Sequence, residues 1–117
     1  DYGLAVRQVG KTLKSFNAAI ALSGDNTVIA AVVGKRLKVV HFNIQNQSAV
    51  ATNVTVKSGA ASTLKGPVAL DPHESWGEHG SVTAPVQQTV AGDALIVNLG
   101  GANAHQVWGE YYDDDAA

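Results

Sequence analysis

The sequence predicts an all-β fold, an antiparallel β-sandwich of about eight strands preceded by an N-terminal arm. Three observations predict it. Of the 117 residues, 16 are Val, 4 Ile and 7 Thr. Such side chains are stiff at χ1 and suit a pleated sheet, while leucine, at 8 residues, is scarce for a helical protein. Turn-forming clusters recur from residue 23 onward, mostly 10–14 residues apart, the rhythm of a sandwich or barrel. Between the clusters, apolar and polar residues alternate with period two, which gives each strand one face to bury.

The first fourteen residues read as an extended arm. Residues 4–22 admit two readings. Val6, Val9, Leu13, Phe16 and Ile20 are spaced as a helical stripe, but Gly10, Ser15 and Asn17 weaken a helix. Phe16, Ala18, Ile20 and Leu22 alternate as a strand running into the Ser23-Gly24-Asp25-Asn26 turn, and an arm followed by this strand is the favoured reading. Residues 27–33 are apolar almost throughout and read as a strand buried on both sides. After Gly34, residues 38–46 place Val40, Phe42 and Ile44 on one face and Val39, His41, Asn43 and Gln45 on the other. Val54 and Val56 form the apolar face of the next strand. Leu64, Val68 and Leu70 form that of its successor, where Pro67 marks an edge or a bulge. A weak strand is expected near Trp76 and another over residues 86–90. Leu95, Val97 and Leu99 share a face. A final strand over residues 106–112 sets Trp108 and Tyr112 on one side and Val107 and Tyr111 on the other. Residues 113–117, opening with three aspartates, read as a solvated acidic tail. The expected organisation is an arm (1–14), a sandwich domain (15–112) and a tail (113–117).

A chain of this length makes one domain, able to bury about two-thirds of its unfolded surface. It has no cysteine, which excludes disulfides, thiolate zinc sites and cysteine nucleophiles. Its longest apolar run, residues 28–33, is far below the roughly 18 residues of a membrane-spanning helix. Charged residues make up 15%, against roughly 25% in ordinary globular chains, a composition suited to surface covered by neighbours in an assembly. The charge layout is uneven. Residues 1–65 hold all eight Lys and Arg and two acids, and residues 66–117 hold the other eight acids. Either the halves interleave and neutralise each other across strands, or a basic end docks on an acidic neighbour. The few basic residues are not interleaved with aromatics, so no nucleic-acid partner is expected.

One segment looks chemical, His73-Glu74-Ser75-Trp76-Gly77-Glu78-His79. It is not a metalloprotease helix, because Gly77 stands where the second histidine would be, and the inverted motif fails at Ser75. As a strand it holds its two histidines roughly 20 Å apart, too far for one metal ion; as a loop it would let them converge. A polar surface loop is the favoured reading. His41 and His105 read as strand and loop residues rather than ligands. No Gly-x-Ser-x-Gly elbow supports a serine nucleophile, Gly100-Gly101-Ala102-Asn103 lacks the Lys-Ser/Thr of a phosphate loop, and the three aspartates lack the alternate spacing of a calcium loop. No enzyme activity, catalytic residue, cofactor or metal site is expected. Trp76 and Trp108 are the candidates for a sugar-stacking platform.

The block Asn26-Thr27-Val28-Ile29-Ala30-Ala31-Val32-Val33-Gly34-Lys35-Arg36-Leu37-Lys38-Val39 resembles a stretch of small virion proteins of tailed bacteriophages. The similarity continues through Val54-Thr55-Val56-Lys57-Ser58-Gly59, Leu64-Lys65-Gly66-Pro67-Val68-Ala69-Leu70 and Ala91-Gly92-Asp93-Ala94-Leu95-Ile96-Val97-Asn98-Leu99, and the opening Asp1-Tyr2-Gly3-Leu4-Ala5-Val6-Arg7 is similar too. The residues 73–79 and the acidic tail depart from the pattern. The resemblance implies a jelly-roll-like sandwich on the exterior of a virion, acting as a capsid decoration (cement) protein or a head-fibre base. Its implied partner is the major capsid protein, and its implied state a homo-oligomer, with a trimer favoured. Arg7, Lys11 and Lys14 on the arm would then reach an acidic patch of the shell. The competing expectation is a carbohydrate- or receptor-binding module on the same kind of sandwich.

Overall fold

The computed structural model describes residues 12–115. Nine strands and no helix occur among them: β1 (Lys14–Ile20), β2 (Gly24–Ile29), β3 (Lys35–Asn46), β4 (Thr52–Ser58), β5 (Ser62–Leu70), β6 (Ser75–His79), β7 (Gln87–Gln88), β8 (Leu95–Leu99) and β9 (His105–Asp115). One sheet runs β1-β9-β3-β6, with β7 also on β3, and the second runs β2-β8-β4-β5. All pairings are antiparallel. The pairs nest from the outside of the chain inward: β1 with β9, β2 with β8, β3 with β6, β4 with β5. Such nesting is one antiparallel ribbon rolled over two sheets, the jelly-roll arrangement.

The core lies between the sheets. Phe16, Ile20, Leu37, Val39, Phe42, Ile44 and Val107 enter from the first sheet, and Ile29, Val54, Val56, Leu70, Leu95, Val97 and Leu99 from the second. Each such side chain contributes about 1.5–3 kcal/mol by leaving water. In β4 and β8 the buried positions alternate as the sequence suggests.

β3 does not keep one parity. Its ladder with β9 shifts register between Val39 and His41, so Val40 is an extra residue in a β-bulge. Leu37 and Val39 face the core before the bulge, and Phe42 and Ile44 after it. The expected grouping of Val39 with His41 is therefore corrected, because the bulge flips every later side chain to the other face. Gly109 on β9 lies between Phe16 of β1 and Phe42 of β3. A Cβ there would stand 1.9 Å from the His41 carbonyl oxygen and 2.9 Å from the Phe16 ring. Only glycine fits beneath these rings at this approach.

The strand over residues 14–20 is present, with Phe16 and Ile20 buried, which overturns the helical alternative there. Val6 and Val9 lie outside the described residues. The apolar run 27–33 is not a two-sided strand. β2 ends at Ile29, and residues 30–34 form an exposed loop with Val33 96% accessible. Gly34 has φ of 74°, and the Lys35 amide donates to the Val32 carbonyl at 3.1 Å. This turn carries the chain out of the second sheet and into the first. Of the expected strand at 86–90 only Gln87 and Gln88 pair, while the Leu37 amide donates to the Thr89 hydroxyl. Pro67 is on edge strand β5, as expected, where a cis Gly66-Pro67 pair stands opposite Thr55 in a register shift.

The three aspartates are not a free tail. β9 extends through Asp115, pairing Asp113, Asp114 and Asp115 with Leu37, Arg36 and Lys35. Lys14 meets Asp113 at 2.8 Å, Lys35 meets Asp115 at 2.7 Å and Lys38 meets Asp114 at 3.1 Å. Lys65 on β5 meets Glu78 on β6 at 2.9 Å, tying the edges of the two sheets together. The two halves of the chain thus neutralise each other across strands, the first of the two readings of the charge layout.

Candidate functional site

The outer face of the first sheet gathers the polar and aromatic residues that the core rejects. The registers set them in rungs. Ser15, Glu110, His41 and His79 form one; Asn17, Trp108, Asn43 and Gly77 the next; Ala19, Gln106, Gln45 and Ser75 a third. Odd-numbered residues of β3 reach this face only because of the bulge at Val40. Without that extra residue, Val40 rather than His41 would stand opposite Glu110.

Trp108 is 37% accessible and is flanked across the rung by Asn17 and Asn43. The Gln106 carboxamide donates to the Asn17 side-chain oxygen. The Asn43 side-chain oxygen fills the place of a Cβ on Gly77, 2.5 Å away, so a larger residue at 77 would displace it. An indole with carboxamides beside it offers an apolar ring face and hydrogen-bonding groups together. Trp76 does not join it. Trp76 pairs with Ile44, faces the sandwich interior and meets Phe42 edge-on with ring centroids 5.6 Å apart. The two tryptophans lie on opposite faces of one sheet, so a platform built from both is corrected to Trp108 alone.

The histidines of residues 73–79 also separate. His73 sits at the turn before β6 with φ of 63°, and its carbonyl accepts from Gln45 Nε2 at 3.3 Å. His79 ends β6 and meets His41 across the ladder, Nδ1 to Nδ1 at 3.1 Å, with ring centroids 5.0 Å apart. The other ring nitrogen of His41, Nε2, is 3.6 Å from a Glu110 oxygen. Sequence reading missed this trio, since its members lie on three strands and meet only through register.

Of the candidate docking cations, Arg7 and Lys11 lie outside the described residues. Lys14 is on β1 rather than on an arm. The Asp113 carboxylate accepts its hydrogen bond and holds the ammonium pKa above its ordinary value. On the second sheet, Asn98 donates to Asp25 at 2.7 Å and Lys57 at 3.1 Å, and these two partners hold the Asp25 carboxyl below its ordinary value.

The loops gather at the two ends of the sandwich. At one end a cleft of about 340 Å³ is lined by Val50, Ala51, Thr52, Asn53, Ala69 and Gly100 among others, and Leu22 and Val50 are exposed. At the other end stand Val33 and Val90. The ends carry the large exposed aliphatic residues, and the outer face of the first sheet carries the polar rungs. Compared with protein-family models and with curated proteins, the chain finds no match in either.

Proposed function

We propose that this chain is a structural virion protein, a decoration protein that seats on the outer surface of a tailed-phage head and stabilises the lattice of its major capsid protein. The observation that carries the reading is the loop at residues 30–34. A turn closed by the Lys35 amide on the Val32 carbonyl holds Val32 and Val33 in water, with Val33 almost wholly accessible, whereas Val39, Val40, Val54, Val56, Val97 and Val107 are buried. With Val90 also exposed at this end, the display of several aliphatic side chains together suits a contact completed by a neighbour. The rolled sandwich, the low charge and the mutual neutralisation of the lysines also support it. Many weak copies of such a contact, repeated over a lattice, give firm attachment. A trimer places three loops on one underside, and the resemblance favours that state. Arg7 and Lys11 add an electrostatic reach to an acidic shell patch. The reading assigns the chain no catalytic step.

Co-sedimentation with undecorated capsids tests the proposal. Wild-type protein pellets with the shells, and Val33→Asp lowers its affinity at least tenfold while circular dichroism stays unchanged. Equal pelleting of the two proteins, or none by the wild type, overturns it. Light scattering in solution checks the trimer.

Trp108 favours a second reading, a receptor- or glycan-binding module of a fibre. Its exposed ring beside Asn17, Asn43 and Gln106 has the composition of a sugar subsite. Saturable quenching of tryptophan fluorescence by host glycans, lost in Trp108→Ala, would select this reading over the first.

A further inference from the structure

We propose that His41 and His79 form a two-nitrogen clip for a divalent transition-metal ion of the zinc class, with Glu110 as the group that orients His41. The clip is independent of the docking reading above.

The geometry fits the ion. With Zn–N bonds of about 2.0–2.1 Å, two nitrogens on one ion stand about 2.9 Å apart at a right angle and about 3.3 Å apart in a tetrahedron. The two Nδ1 atoms stand 3.1 Å apart, between these values, so both reach one ion once the rings turn from facing each other to face it. Imidazole nitrogen suits zinc, copper and nickel, whereas magnesium and calcium take oxygen.

Proton placement fits as well. Two neutral rings meeting Nδ1 to Nδ1 share one hydrogen between them. Glu110 stands on the far side of His41, facing Nε2. At 3.6 Å the carboxylate stands just beyond hydrogen-bond distance, but its charge favours a hydrogen on Nε2 and a bare Nδ1, and a small approach gives the arrangement of a carboxylate behind a metal-bound histidine. The hydrogen between the rings then belongs to His79. Its transfer to the Nε2 of His79 frees the second Nδ1, and the metal takes the place of the shared hydrogen with no net change in charge on the rings.

The scaffold is specific to this rung. The bulge at Val40 brings His41 into line with both Glu110 and His79, and bulges often re-aim side chains at functional sites. Gly109 admits the His41 carbonyl at a distance no other residue allows. Among the described residues no three His, Cys, Asp or Glu side chains converge on one point. The protein therefore gives two ligands and water completes the shell, so binding is reversible and the outer positions stay open.

Zinc ion is the probe, titrated into the full chain at pH 7.5 by calorimetry and by NMR of the histidine side-chain nitrogens. The expected result is one saturable zinc per chain, with both Nδ1 signals shifting and magnesium producing no effect. His79→Ala and His41→Ala each weaken binding at least tenfold, Glu110→Gln weakens it about tenfold, and His73→Asn leaves it unchanged. His79 is exposed at the end of an edge strand, so its variant retains the fold by circular dichroism even if His41→Ala does not. Absence of saturable binding, equal affinity in His79→Ala, or loss of binding in His73→Asn overturns the assignment.

Discussion

Replacing Gly109 by alanine tests the geometry on which both the core and the outer face depend. The glycine does not have a left-handed backbone, so conformation alone favours the change. Alanine in a strand is better than glycine by roughly 0.5–1 kcal/mol. Sterics oppose it. The new methyl lies 1.9 Å from the His41 carbonyl oxygen, 2.8 Å from the carbonyl carbon and 2.9 Å from a Phe16 ring carbon. Atom pairs of this kind rest at about 3.5 Å, so the oxygen contact is short by more than an ångström. Phe16 can rotate away, but the oxygen belongs to the bulged backbone of β3 and moves only with that strand. Overpacking a core costs about 1–3 kcal/mol and occasionally more, and a backbone obstacle puts this site at the upper end. The net expectation is a loss of about 2–3 kcal/mol. At about 4 °C per kcal/mol for a domain of this size, the thermal midpoint falls by roughly 8–12 °C. Urea unfolding followed by tryptophan fluorescence gives the free energy, and calorimetry gives the midpoint. Gly100→Ala is the control. Its Cβ would meet nothing closer than the Asn53 carbonyl oxygen at 3.4 Å, so its stability stays within about 0.5 kcal/mol of wild type. If Gly109→Ala proves as stable as Gly100→Ala, the close approach of β9 to the bulge is refuted, and with it the alignment of His41 with Glu110.

Three further substitutions separate core from surface and charge from packing. Trp76→Ala removes a ring packed on Phe42 and lowers stability by about 2–4 kcal/mol, whereas Trp108→Ala, on the outer face, costs under about 1 kcal/mol; chemical denaturation that ranks the two equally contradicts the assignment of faces. Asp25, whose carboxyl is held below its ordinary pKa of 3.8 by Asn98 and Lys57, stabilises the fold above the unfolded value, and that contribution is lost as pH falls through the lower folded value. Asp25→Asn therefore lowers stability at pH 7 by up to about 1 kcal/mol, since the site is a third exposed and screened, and the deficit narrows below pH 4 in thermal melts.

Legibility in the sequence followed the range of the interactions. β4 and β8 could be read directly, because one face of each meets the core and period two records it. β3 could not, since a bulge is one extra residue with no composition of its own, and its effect is to reverse the parity of everything after it. Residues 30–33 look like a buried strand by hydropathy alone, yet the topology requires the chain to leave the second sheet there. Asp113, Asp114 and Asp115 look like a solvated tail because their lysine partners at positions 14, 35 and 38 are remote in sequence. Trp108 was visible as a candidate, but the sequence could not say that Trp76 points the other way. The His41 and His79 contact depends on strand pairing and bulge together, and neither is local.

On the decoration reading, the lysine pairing decides how docking would respond to salt. Each of the five lysines among the described residues has a carboxylate within about 3 Å on this same chain. Such surface pairs add at most about 1 kcal/mol each to stability, but they leave little unpaired positive field to project onto a shell. Arg36 lies at the same end, its guanidinium reaching the Thr89 carbonyl at 3.4 Å. On the decoration reading, long-range attraction to an acidic lattice would fall to Arg7, Lys11 and Arg36, while contact itself would fall to Val33. At about 10 Å the screening length in 0.1 M salt is shorter than a domain, and at 1 M it is about 3 Å. A contact held by Val33 keeps its equilibrium affinity within about threefold across that range, since burial of apolar surface does not weaken in salt. A contact held by the arm loses affinity steeply over the same interval, and deletion of residues 1–11 removes the dependence. Co-sedimentation with capsids at 0.1 and 1 M sodium chloride distinguishes the two, and a steep loss that persists after the deletion would show that the ion pairs drawn here open to serve a partner.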